Sequence, residues 1–187
     1  MVTKLRRRTT PLVAVLFMLF GVAWAQGMLA EAVTTGIITG NLGGEETSWR
    51  TVELDSGEAQ LHTSTLTVLM DILYTYTLQG HQDDQLVEGA VAISFVSYSA
   101  PLADCPCELT GEITYWTTTS AFRDLYTTAE ATITVLEAEE VDVGVWRVVG
   151  TAEGQLDYFE SLTTGEPTGE PMDVSLEFSV DRVVLQD

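Results

Sequence analysis

Apolar and polar residues alternate with a period of two along most of this chain, the pattern of strands with one buried face. Near the C-terminus Val174, Leu176, Phe178 and Val180 alternate with Ser175, Glu177, Ser179 and Asp181. Ala131, Ile133 and Val135 alternate with Thr132, Thr134 and Leu136, and Val91, Ile93 and Phe95 with Ala92, Ser94 and Val96. The longest such run is 64–78, where Leu66, Val68, Met70, Ile72, Tyr74, Tyr76 and Leu78 share parity. It reads as one long strand that bends or bulges near Asp71, because most strands are shorter. Further strands are expected at about 35–42, 48–54, 58–63, 109–117, 144–158 and 172–186.

Turn residues separate these runs: Gly43-Gly44-Glu45-Glu46, Asp55-Ser56-Gly57, residues 80–84, and 137–144. The repeat Gly165-Glu166-Pro167-Thr168-Gly169-Glu170-Pro171 reads as a hairpin tip. A short helix is expected at 120–126, where Phe122, Leu125 and Tyr126 have helical spacing. The fold class is all-β: an antiparallel β-sandwich or a closed β-barrel of about eight to ten strands. The patterns do not choose between the two. A small outer-membrane β-barrel is an alternative. Against it stand the Thr, Ser and Glu on one face of several strands and a Leu-Gln-Asp ending in place of a terminal aromatic.

Composition places this fold outside the cytoplasm. Lys4, Arg6, Arg7 and Arg8 precede an apolar run, Pro11 to Trp24, and the small-x-small site Ala23-Trp24-Ala25. This is the order of a secretory signal peptide, with cleavage expected after Ala25 and a single β-rich domain at 26–187. A secreted or periplasmic location follows. The apolar run falls short of a bilayer span, which takes about 20 residues. No membrane span is expected in the mature chain.

Removing that segment removes half of the basic residues. Arg50, Arg123, Arg147 and Arg182 then face 28 acids, a formal charge of −24. Such a field repels phosphates, so nucleic acid is excluded as a partner, and cations or a basic partner are favoured. Excess carboxylate without Lys also has the character of proteins that work in concentrated salt.

Candidate chemistry is sparse. Cys105-Pro106-Cys107 holds the only two cysteines, which in an oxidising compartment point to a disulfide, with a thiolate metal site or a redox pair as alternatives. Clustered acids offer oxygen ligands for Ca²⁺: Asp83, Asp84 and Glu88 in one group, Glu137, Glu139, Glu140 and Asp142 in another. Neither matches an EF-hand loop. The two histidines, His62 and His81, sit in no catalytic motif, and no G-x-S-x-G or H-E-x-x-H is present. Trp49, Tyr115 and Trp116 could stack on a carbohydrate partner. Arg147 and Arg182 share parity with strand residues and call for carboxylate partners. The expected function is therefore a non-enzymatic binding or cell-envelope module without a cofactor. The alternative is a secreted, glycosidase-like hydrolase using paired carboxylates.

Overall fold

A computed structural model describes residues 32–55, 60–82, 87–98, 102, 105–163 and 165–186. The segment 1–25, expected to be a leader, and the acids Asp83 and Asp84 lie outside these. Ten strands form: β1 Val33–Leu42, β2 Glu45–Asp55, β3 Gln60–His62, β4 Ser64–Leu69, β5 Leu73–Gly80, β6 Val91–Ser97, β7 Cys107–Trp116, β8 Arg123–Asp142, β9 Val145–Ser161 and β10 Met172–Gln186. Among the described residues there is no helix long and apolar enough to cross a membrane.

The strands hydrogen-bond in the order β3-β2-β1-β10-β4-β5-β6-β7-β8-β9, and β9 pairs back onto β10. Strands β4 to β10 therefore close a ring. Two stacked open sheets would leave unpaired edges; closure into a barrel removes them. One ladder departs from the expected antiparallel pattern. β10 runs parallel to β4 from Val184↔Thr65 to Gln186↔Thr67. The cause is a division of the β10 edge. Residues 174–180 pair with β1, a bulge follows between Val180 and Val183 in the β9 ladder, and the remainder meets β4. At the opposite end β2 takes the place of β4, reaching the end of β5 through the Arg50↔His81 bridge. We call the end with the β1–β2 turn the upper end, and the end with the β4–β5 and β8–β9 turns the lower end.

The run 64–78 is a hairpin, which corrects its reading as one bent strand. Met70 and Asp71 have left-handed φ values of 56° and 58°. The Ile72 N–H bonds back to the Leu69 carbonyl at 3.3 Å. Ser64 pairs with Leu78, Leu66 with Tyr76 and Val68 with Tyr74, so even residues always face even residues. Parity passes unchanged through the turn, and no Gly, Pro or Asn marks it. Met70 and Ile72 consequently point to solvent rather than inward. The helix expected at 120–126 is also absent. Ala121 and Phe122 form a turn, and Leu125↔Phe159 and Tyr126↔Tyr158 are already rungs of the β8–β9 ladder.

Inward faces follow the alternation in the remaining strands. Leu66, Tyr76, Leu78, Ile93, Phe95, Ile113, Ile133, Val148, Leu176 and Phe178 are among the buried core. The rings of Tyr76 and Phe95 stack at 5.0 Å, and Phe95 and Phe178 lie 6.4 Å apart, so aromatic side chains fill the barrel interior. Gly150 allows this filling. A Cβ there would lie 2.6 Å from Phe178 Cζ and would strike the Thr134 carbonyl. Outward positions carry hydroxyls: Thr65 and Thr67 pair with Thr77 and Thr75, Thr77 with Ser94, and Thr114 with Thr127. A transmembrane barrel has the reverse arrangement, an apolar outer band.

The bulge in β10 also moves Arg182. Asp181 and Arg182 both face out while Val183 is buried, so Arg182 does not share the face of Val180. Its Nε lies 3.1 Å from Glu53 on β2. Arg147 reaches Glu137 at 2.9 Å and Asp181 at 3.3 Å. These pairs are partly exposed, so each contributes at most about 1 kcal/mol.

Candidate functional site

Three adjacent strands bring three tyrosines into a row at the upper end. Tyr115 on β7 pairs with Tyr126 on β8, which pairs with Tyr158 on β9. Direct partners share a face, and here that face is the inward one, just above the filled core. The Tyr126 and Tyr158 rings are 5.1 Å apart and tilted by 54°.

Acids surround this row. The Tyr158 hydroxyl donates to Asp124 at 2.9 Å. That bond comes first among the causes that raise the Tyr158 pKa, ahead of burial and the charges of Asp124 and Glu160. Burial raises the Tyr115 pKa, and the negative charges of Glu45 and Glu88 push it further. Tyr115 and Tyr158 therefore hold their protons more tightly than free phenols do, in a negative field.

An open depression of about 600 Å³ adjoins the row. Asn41, Gly43 and Gly44 of the β1–β2 turn line it with Tyr126 and the segment Glu170–Asp173. Local bonds hold its walls. The Asn41 carboxamide oxygen accepts the Gly44 N–H at 2.7 Å, and the Asp173 carbonyl accepts the Gly43 N–H at 2.9 Å. Gly43 has φ 58°, and a Cβ there would meet the Met172 side chain at 3.0 Å. A glycine is needed on both counts. Opposite, Gly169 rests on the Tyr158 ring, where a Cβ would come within 2.7 Å of Cδ1. The Gly-Glu-Pro repeat is thus a strap seated on β9.

The other candidates lie elsewhere, apart from Glu88, whose charge acts on Tyr115. Cys105 and Cys107 are joined by a disulfide with Cα atoms 4.5 Å apart, packed against the core at the lower end. Glu88 is exposed in the turn before β6. Glu137, Glu139, Glu140 and Asp142 are exposed at the end of β8. There Glu137 pairs with Arg147, Glu140 accepts the Gly144 N–H, and Asp142 accepts the Val143 N–H. These bonds shape a turn. Among the described residues no group of three or more His, Cys, Asp or Glu could hold a metal ion.

The two tryptophans do not form a stacking platform. Trp49 is buried in the core and its Nε1 donates to the Gly89 carbonyl at 2.7 Å. Trp116 faces outward yet is buried with Ala90, Ala92 and Leu125, its Nε1 donating to the Ala121 carbonyl at 3.3 Å. Only Tyr115 of the three aromatic candidates belongs to the mouth. Tyr126 and Tyr158 escaped the sequence reading, Tyr126 because it was assigned to a helix. The β-branched run Thr127-Thr128 leading into Ala131–Val135 was the signal for a strand there. No protein-family model, curated protein or solved structure matches the chain.

Proposed function

We propose that this chain is an exported, non-enzymatic binding module, and that its upper mouth takes a cationic group presented by a basic partner. One observation carries the reading: Tyr126, in a row with Tyr115 and Tyr158, lines an open depression together with Glu170 and Asp173, above a filled core. An aromatic face attracts a cation within about 6 Å of its centroid, and neighbouring carboxylates add to that attraction. Glu45, Glu88, Asp124, Glu160, Glu170 and Asp173 supply the negative field, in a chain of 28 acids and eight bases. An open, shallow depression suits a protruding side chain better than an enclosed substrate. The leader sequence supports a secreted or periplasmic setting, with cleavage after Ala25. Intact mass of the exported protein tests that setting, and a product retaining Leu16 would refute it.

The binding claim is tested by calorimetric titration with a lysine- and arginine-containing peptide and, separately, a neutral oligosaccharide. The peptide should bind and weaken with NaCl, and Tyr126→Ala should lower its affinity about tenfold, in line with roughly 1–2 kcal/mol for a partly desolvated cation–π contact. Oligosaccharide binding that ignores salt would move the assignment to sugars. Silence in both arms would remove the mouth as a ligand site.

A further inference from the structure

The mouth offers a cation no room between rings. The Tyr126 and Tyr158 centroids stand 5.1 Å apart. A guest held between two rings needs about 7 Å, the sum of two contacts of about 3.5 Å. The pair therefore cannot enclose an ammonium group, and Gly169 already lies against the Tyr158 ring. Of the row, Tyr126 lines the depression, so a guest there meets one ring.

The remaining walls supply carboxylates and little bulk. Glu170 and Asp173 bracket Pro171 and Met172, and both acids are exposed. Gln155 Nε2 donates to Asp173 Oδ1 at 3.0 Å, which holds that carboxylate in place. Beside them Gly43 and Gly44 carry no side chain, and a Cβ on Gly44 would meet nothing within 4 Å. The depression is thus wide, with acids on either side of an apolar stretch and one wall of bare backbone.

We infer that the cation this mouth selects is the guanidinium of an arginine side chain, in preference to the ammonium of lysine; the inference rests on the cation reading proposed above. A guanidinium is planar, so it can lie on a single ring while its N–H groups, which point outward in its plane, donate to carboxylates at the rim. Its fork meets a carboxylate with two parallel bonds. An ammonium is compact and strongly hydrated, and against one ring in an open site it keeps much of its water. A fully methylated ammonium has no donors and needs the enclosing rings that the 5.1 Å spacing denies. The stems of arginine and lysine can both pack along Pro171 and Met172, so discrimination lies in the head group.

Calorimetric titration of the exported protein with two peptides tests this, the peptides being identical except that one carries only arginines and the other only lysines as basic residues. The arginine peptide should bind about tenfold tighter, the worth of one charge-assisted pair and one stacked contact. Both affinities should fall between about 0.1 and about 1 M NaCl, but their ratio should persist, because screening acts alike on equal charges. Tyr126→Ala and Glu170→Gln should each bring the ratio toward one. Glu170→Gln, at an exposed position, keeps the test valid should loss of the half-buried Tyr126 unsettle the fold. Glu177→Gln, exposed midway along β10, removes the same charge and should leave the ratio unchanged. Equal affinities, or tighter binding of the lysine peptide, overturn the inference and leave the mouth a general cation site. A preference that neither mouth variant alters also overturns it, by placing the arginine contact elsewhere. Binding of neither peptide removes the mouth reading itself, and this inference with it.

Discussion

The two ends of this barrel are built from the same strands yet differ in chemistry. At the upper end, inward-facing tyrosines emerge from the core among carboxylates, and side chains hold the turns through specific bonds such as Asn41 to Gly44 and Tyr158 to Asp124. At the lower end, apolar residues project from tight turns. The acids nearby serve the turn backbone, as Glu140 and Asp142 do. The difference teaches that net charge describes this molecule poorly. One end concentrates a negative field around ring faces, and the other carries its apolar exposure beyond the core that needs it. A ring of strands with one filled interior lets both exist without mixing.

The strongest way to break the comparison is to destroy what separates the ends. Leu176→Asp places an unpaired charge in the filled interior and should cost about 3–5 kcal/mol, abolishing peptide binding at the mouth. Glu177→Ser, one residue away on the outward face, should change stability by less than about 0.5 kcal/mol. Urea denaturation of the two variants checks both values, and equal losses would show that the faces are reversed.

Alkali acts next, and it acts on the core and upper end. Burial, with a smaller contribution from Tyr74, raises the Tyr76 pKa well above the usual tyrosine value, and Tyr115 and Tyr158 shift in the same direction. An unfolded tyrosine ionises near pH 10. The folded state therefore holds these protons more tightly, and their contribution is whole below about pH 10 and is lost as pH rises through the folded values. Melting temperature should fall steeply above pH 10. Tyr76→Phe should flatten that fall. Because the buried Tyr76 hydroxyl has no hydrogen-bond partner among the described residues, the substitution should not destabilise at neutral pH.

Salt sharpens the contrast most directly, because it screens the field at the mouth. Raising NaCl from about 0.1 to 1 M shortens the Debye length from about 10 to about 3 Å. Peptide affinity at the mouth should fall. The melting temperature should rise over the same range as carboxylate repulsion is screened. A melting curve indifferent to salt would mean that the 28 acids are too dispersed to matter.

The smallest effect belongs to the Cys105–Cys107 bond. A crosslink between residues two apart removes little chain entropy, so reduction should cost about 1–2 kcal/mol. Calorimetry with and without dithiothreitol checks this, and a collapse on reduction would give the bond a larger part in the lower end.

Much of the strand content was legible. The strands at 172–186 and 109–117, and the buried faces of 131–135 and 174–180, lie at or within a few residues of where alternation put them. Misreadings arose where a local rule had two outcomes. A hairpin whose partners are all even with even keeps parity, so Ser64 to Leu78 looked continuous. A bulge reverses parity, so Arg182 does not share the face of Val180 although both positions are even. Trp49 and Trp116 have the surface area to bind sugars, but their indoles are buried and donate to backbone carbonyls. Of the mouth, only Tyr115 and Glu88 were named as candidates beforehand, because Tyr126, Tyr158 and Asp124 carry no motif.

The sequence by itself determined the strand class, the side of the sheet on which most residues stand, and the acidity. These are local or summed quantities, and alternation with composition is enough for them. Only the tertiary structure decided that the sheet closes and what meets at each end. Closure depends on ladders such as Val184↔Thr65 and Phe178↔Gly150 between distant segments. Alternation assigns a side chain to a face, but its height along the barrel is set by register with its neighbours. Three tyrosines meet in one row because the pairings of neighbouring strands place them there.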